Sequence, residues 1–185
     1  MYTKKRKILF SILFLSLFSI QFSFAQTSVE IDQDVDIAIQ KFKQDIEGGD
    51  KFLSKVKGYA VFPTVVKAGI IIGGKYAEGA VRVNGKSKSK FYLSMSSVSI
   101  GLQAGAQRYS MLIAFVTPES LKSFYKSDGW ETGLEGSITI AQWGANKDMS
   151  SISFEKPIIA FIYNERGIMA SINLSGTKFE RIMPQ

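Results

Sequence analysis

The chain has 185 residues, with 23 Lys plus Arg against 16 Asp plus Glu, and contains neither histidine nor cysteine. Lacking imidazole and thiol, it has no histidine-based triad, thiolate nucleophile, disulfide or ordinary zinc site; covalent chemistry would have to run on Ser, Lys, Tyr and carboxylates. With 45% hydrophobic and 21% charged residues, it has the balance of a globular domain able to bury a core.

Residues 1–25 read as a secretory signal. Lys4, Lys5, Arg6 and Lys7 supply a positive start, Ile8 to Ile20 is an apolar run broken only by Ser11, Ser16 and Ser19, and Ser23-Phe24-Ala25 gives the small-x-small pattern before Gln26. The run is shorter than the roughly 20 residues that span a bilayer. No cysteine follows to accept a lipid. The expectation is cleavage after Ala25 and export, to the periplasm or as a secreted protein.

Residues 26–49 form an amphipathic helix in this reading. Ile31, Val35, Ala38, Ile39, Phe42 and Ile46 recur at steps of three and four, and Gly48-Gly49 ends the pattern. Asp50 is placed to cap a short second helix carrying Phe52, Leu53 and Val56 on one side. The pattern then turns to short β-rich runs. Strands are expected near 58–62, 68–73, 77–83, 89–94, 97–104, 109–115, 131–142, 152–154, 158–163, 168–174 and 178–182, with turns at Asn84-Gly85, Glu165-Arg166-Gly167 and Ser175-Gly176. One helix interrupts them, with Thr117 as cap, Pro118 in the first turn, Leu121 and Phe124 or Tyr125 facing inward, and Asp128-Gly129 at its end. The fold class is therefore α+β: a mainly antiparallel β barrel or sandwich with N-terminal helices and one inserted helix, residues 50–185 forming one domain.

Charge is unevenly spread. Residues 26–50 hold seven acids and two bases, residues 51–108 ten bases and one acid, Glu78, and the remainder seven bases and eight acids. Such a basic stretch concentrates anions at its surface; the competing reading folds the acidic segment across it as counter-charge. A two-residue Asn84-Gly85 turn would pair Val83 with Lys86, Val81 with Lys88 and Gly79 with Lys90, setting three ammonium groups above two valines. That arrangement suits a lipid interface or a soluble edge hairpin.

Several motifs are set aside. Gly69 to Lys75 fits a phosphate-binding loop, but Tyr76 stands where Ser or Thr would hold magnesium, and three isoleucines belong in a strand. Asp32-Gln33-Asp34-Val35-Asp36 starts like a calcium loop, yet the sixth and twelfth positions are Ile37 and Lys43. Ser87-x-x-Lys90, Ser123-x-x-Lys126 and Ser175-x-x-Lys178 match a serine acyl-enzyme pattern as often as chance would supply it. Trp130 and Trp143 are read as packing residues. No metal or cofactor is expected.

From Lys57 onward the chain resembles the SYLF domain family. The likeness is carried by Lys57-Gly58-Tyr59-Ala60-Val61-Phe62-Pro63, Lys67-Ala68-Gly69, Gly73-Gly74-Lys75-Tyr76-Ala77-Glu78-Gly79, and Ser99 to Gln107. It continues through Phe124 to Trp130, Lys156-Pro157 to Phe161, and Gly167 to Lys178. Family members are lipid-binding modules, in eukaryotes recognising phosphoinositides and in yeast also actin, and bacterial relatives are envelope proteins. The resemblance implies non-enzymatic phospholipid binding through the basic start of the domain, here Lys51, Phe52, Lys55, Lys57 and Lys67. The hairpin adds Lys86, Lys88 and Lys90. The expected partner is anionic phospholipid or a membrane surface, with no nucleic acid. Two other classes remain beside it, a small outer-membrane β-barrel and a hydrolase built on Ser and Lys or on two carboxylates.

Overall fold

The computed structural model describes residues 26–86, 88–126, 130–131, 139–142, 156–167 and 174–185. The expected leader, the segments 152–154 and 168–173, the turn at Asp128-Gly129, Trp143 and Ser87 lie outside them.

Helix α1 spans Ser28–Asp45 and begins in a capping box. The Thr27 hydroxyl accepts from Glu30 N, while Glu30 Oε2 accepts from Thr27 N at 2.8 Å. Its buried face is Ile31, Val35, Ala38, Ile39 and Phe42, as the periodicity requires. Gly48, at φ 77°, reverses the chain into the seven-residue α2, Gly49–Lys55, so the cap of α2 is Gly48 and Asp50 lies inside its first turn.

The strands expected as six are two. β1 runs Gly58–Val83 and β2 Ser89–Phe115, paired antiparallel along nearly their whole length. This long hairpin folds back on itself. A Cβ on Gly69 would stand 2.3 Å from the Cα of Gly73, and one on Gly79 would stand 2.1 Å from the carbonyl oxygen of Val61. Residues four apart in an extended strand are about 13 Å apart, so the chain turns sharply between Gly69 and Gly73. The two arms of β1 then meet again near Val61 and Gly79. At the bend Ile70 faces Ala104 and Ile72 faces Ile100. β2 thus spends residues 101–103 where β1 spends residue 71, the longer path of the outer strand round a corner.

Each arm recruits further strands. β5, Ile158–Gly167, pairs with the 107–115 end of β2, and β4, Thr139–Gln142, adds to β5 in parallel. β6, Lys178–Ile182, pairs with residues 92–96 of β2, and β3, Trp130–Glu131, adds to β6. The result is a six-stranded, mainly antiparallel sheet in the order β3-β6-β2-β5-β4, with β1 beside β2. Among the described residues it is not closed into a barrel: β3 and β4, the two ends of the path, pair with β6 and β5 and not with each other, which corrects that alternative.

Alternation sorts the side chains into two cores. Ala60, Phe62, Met111, Ile113, Phe115, Ala160 and Ile162 turn inward between the arms, joined by Val81, Leu93, Met95 and Phe179 from the other arm. Helix α3, Pro118–Lys126, brings Leu121 and Phe124 to that core, the Phe124 ring lying 4.7 Å from the ring of Phe115. Val61, Leu112, Ala114, Ile159, Phe161 and Tyr163 face the other way, beneath α1 and α2. Phe42 and Phe52 meet Phe161 edge-on at 5.2 and 5.1 Å, and the buried Tyr163 hydroxyl donates to Ala38 O at 3.0 Å.

Candidate functional site

The lysines of α2 and those of the β1–β2 hairpin come together through one asparagine. Phe52 and Leu53 anchor α2 to the core, which leaves Lys51 and Lys55, one turn apart, on the exposed side. Asn84, at the hairpin tip, donates from Nδ2 to the carbonyls of Ser54 and Val56 at 2.7 and 3.0 Å, and its backbone N–H donates to Lys57 O. Gly85 supplies φ 78° and Lys86 N bonds Val83 O, so the two-residue turn is as expected. The segment that carries Lys55 and Lys57, with Lys51 one turn earlier in α2, is therefore held beside the hairpin tip, which is followed by Lys86 and Lys88. All five are exposed, as is Lys90. No acid occurs within residues 51–57 or 84–90.

The ladder above the turn differs from the expected one. Arg82 faces Ser89, Val81 faces Phe91 and Gly79 faces Leu93, with an irregularity after Val81. Continuing the two-residue register would have put Lys88 and Lys90 beside Val81 and Gly79 and left Phe91 and Leu93 out of phase with the core. Burial of those two apolar side chains outweighs an unbroken ladder. Lys90 becomes the extra residue of the bulge and points to water.

Two expected contact residues sit elsewhere. Phe52 is 3% exposed and packed on Phe161, so it fixes the platform that carries Lys51 and Lys55. Lys67 is 8% exposed, because it alternates in phase with Val65 and so points between the arms. Lys75 does the same in phase with Ala77, is equally buried, and donates from Nζ to Thr177 Oγ1 at 2.9 Å. Burial, and next the charge of Lys67, lower the Lys75 pKa to about 8. Sequence reasoning missed Lys75 as a site residue, although its shared phase with Ala77 was readable.

The acidic helix does neutralise one base of the central stretch. Arg82 Nη2 lies 2.9 Å from Asp36 Oδ1 and 3.2 Å from Asp32 Oδ1, and Asp32 also accepts from the hydroxyls of Ser89 and Tyr92, at 2.5 and 3.1 Å. Two of the three carboxylates that resemble a calcium loop are therefore engaged by a buried guanidinium, and the third, Asp34, accepts from Gln26 Nε2 at 2.9 Å. Among the described residues no group of acids is arranged to hold a metal ion.

A groove of about 730 Å³ opens between the arms of β1, which part between their meeting points. Its lining includes Val66 and Ala68 of the first arm, Lys75 and Tyr76 of the second, and the acids Glu30, Asp34 and Glu78. Gln26 N donates there to Glu78 Oε2 at 3.1 Å, and Tyr76 donates its hydroxyl to Glu78 Oε1 at 2.7 Å. The phosphate-loop match, Gly69 to Lys75, is the bend of β1. In the Ser175-x-x-Lys178 match, Lys178 is paired with Glu180 at 2.7 Å. Among the described residues no helix is long and apolar enough to cross a membrane.

Residues 96–181 match the family model described as Ysc84, Las17-binding protein actin regulator. The matched stretch begins in the middle of β2 and ends in β6, so the exposed lysine edge precedes it. No curated protein matches the chain.

Proposed function

We propose, from the match of residues 96–181 to the Ysc84 (SYLF) family model, that the protein is a non-enzymatic phospholipid-binding protein of the bacterial cell envelope. The contact with anionic lipid is the edge made by Lys51, Lys55, Lys57, Lys86, Lys88 and Lys90. The family is one of lipid-binding and actin-regulating domains, not of enzymes.

The observation that carries the reading is the Asn84 clamp, which joins two lysine-bearing segments distant in sequence at one edge. Each lysine near an anionic surface contributes about 1 kcal/mol. Six together give about 6 kcal/mol, which corresponds to attachment in the range of tens of micromolar. Such binding is reversible and screened by salt, as suits a chain without an acceptor cysteine. Export with cleavage after Ala25 would bring this edge to the face of an envelope membrane. Sedimentation with vesicles of graded phosphatidylglycerol content tests the reading. Binding should rise with lipid charge and fall with salt, and binding indifferent to both would refute it.

A further inference from the structure

Three carboxylates meet Gln26 and Thr27, the residues that follow the expected cleavage point. Gln26 N donates to Glu78 Oε2 at 3.1 Å, and Gln26 Nε2 donates to Asp34 Oδ2 at 2.9 Å. Thr27 donates from its backbone N–H and from its hydroxyl to Glu30 Oε2, each at 2.8 Å. Glu30 and Asp34 come from the first two turns of α1 and Glu78 from the second arm of β1, and all three line the groove together with Gln26. Tyr76 donates to the other oxygen of Glu78 at 2.7 Å, which fixes that carboxylate. Ser28 N donates to Gln185 O at 3.2 Å and anchors the same stretch to the far end of the chain.

A peptide N–H is neutral, and a neutral acceptor would satisfy it. Here the acceptor is an anion with two more anions in the same groove. Lys75 and Arg108 also line the groove, and Lys75 Nζ donates to Thr177 Oγ1 at 2.9 Å. Cleavage after Ala25 turns the Gln26 nitrogen from an amide into an α-ammonium at the place from which Glu78 already accepts, which makes the bond charge-assisted. A positive terminus beside the start of an 18-residue helix is otherwise disfavoured by the helix dipole. The acids Glu30 and Asp34 oppose that field.

We propose that Glu78 and Asp34 form a socket for the processed N-terminus, Glu78 pairing with the α-ammonium of Gln26 and Asp34 holding its side-chain amide. The socket requires the cleavage after Ala25 on which the functional reading also draws, but not the lysine edge. It has a chemical consequence. An N-terminal glutamine closes to pyroglutamate when its neutral α-amine attacks its own Cδ. The new C–N bond makes the lactam, the Cδ–Nε2 bond breaks, the amine proton passes to the departing nitrogen, and ammonia leaves. An ammonium has no lone pair for that attack. The socket therefore keeps the terminus open and charged, and cyclisation belongs to chains that leave it.

Export of the full chain from a bacterial host, followed by intact mass and N-terminal sequencing of the purified protein, tests the socket first. The chain should begin at Gln26 with a free amine. On warming at neutral pH, loss of ammonia should be at least about tenfold slower in the folded protein than in guanidinium chloride, because an adjacent carboxylate lowers the neutral fraction of an amine by about that factor. Glu78→Gln, which can still accept from Tyr76, should bring the rate close to the unfolded one while its melting curve shows it folded. Asp34→Asn should raise the rate less, and Glu119→Gln, an exposed acid of α3 outside the groove, should leave it unchanged. Sedimentation of Glu78→Gln with phosphatidylglycerol vesicles should match that of the unaltered protein, which separates failure of the socket from failure of the lipid-binding edge. An exported chain that begins elsewhere, a Gln26 start already closed to pyroglutamate, or equal rates in folded, Glu78→Gln and unfolded protein would overturn the socket.

Discussion

Asn84 donates from its side chain to the carbonyl of Ser54 at 2.7 Å, across thirty residues of sequence. This bond and its companion to Val56 O fix where Lys86 stands relative to Lys55 and Lys57. Asn84→Ala removes both bonds and should cost about 1 kcal/mol of stability, since the groups left behind are near water. Its larger effect should be on vesicle binding, which should weaken although every lysine remains. Chemical denaturation and vesicle sedimentation on the same variant measure the two.

The Arg82 cluster is asymmetric. The guanidinium side chain is 4% exposed, whereas its partners Asp32 and Asp36 are 34% and 62% exposed. Removing the acids strands a buried charge, so the double variant Asp32→Ala, Asp36→Ala should lose about 3 kcal/mol. Arg82→Met leaves carboxylates that water can reach and should lose only about 1 kcal/mol. Urea unfolding of the two variants gives the order directly.

The crossing of the β1 arms rests on a missing side chain. Gly79→Ala would drive its Cβ into Val61 O and Phe62, and should cost about 3 kcal/mol or more through a forced separation of the arms. Gly74→Ala, on the same strand, meets only Ser97 O at 3.7 Å and should change stability by less than about 0.5 kcal/mol. Comparing the melting temperatures of the pair isolates the crossing from any general effect of losing a strand glycine.

Lys75 gives the fold a pH dependence of definite sign. Its pKa is lowered to about 8 in the folded chain, so between pH 8 and the ordinary lysine value the unfolded chain binds more protons. Stability should therefore rise from about pH 8 toward pH 10 as the native amine becomes neutral, with the penalty of burying its charge fully present below pH 8. Tyr76, raised to about 12, and the buried Tyr109 and Tyr163, raised further by desolvation, act oppositely above pH 10. The rise should be absent in Lys75→Met, as thermal melts at fixed ionic strength would show.

The elements that the sequence displays well are those whose signal is local. The first helix follows from the apolar spacing of Ile31 to Ile46, and the Asn84-Gly85 turn from its dipeptide. The union of three expected strands into β1 was hidden because Gly69, Gly73 and Gly74 look like turn residues, whereas here they let one strand bend without leaving its ladder. The hairpin register depended on which of Lys88, Lys90, Phe91 and Leu93 the distant core would take, which no local rule decides. The lysine edge was legible as residue types; its coherence depends on a side-chain to backbone bond between segments far apart in sequence. Lys67 was misplaced because its charge suggested a surface position while its alternation with Val65 already pointed inward.

The central claim is that the exposed lysines bind an anionic lipid surface. Its most direct measurement compares the protein with its Lys86→Glu, Lys88→Glu variant in sedimentation with phosphatidylglycerol vesicles and with phosphatidylcholine vesicles. Reversing two charges should weaken attachment to the anionic vesicles at least tenfold, by about 1.4 kcal/mol or more, with little binding to the neutral ones in either case. Equal sedimentation of the two proteins with anionic vesicles, in a variant that folds normally, would contradict the account.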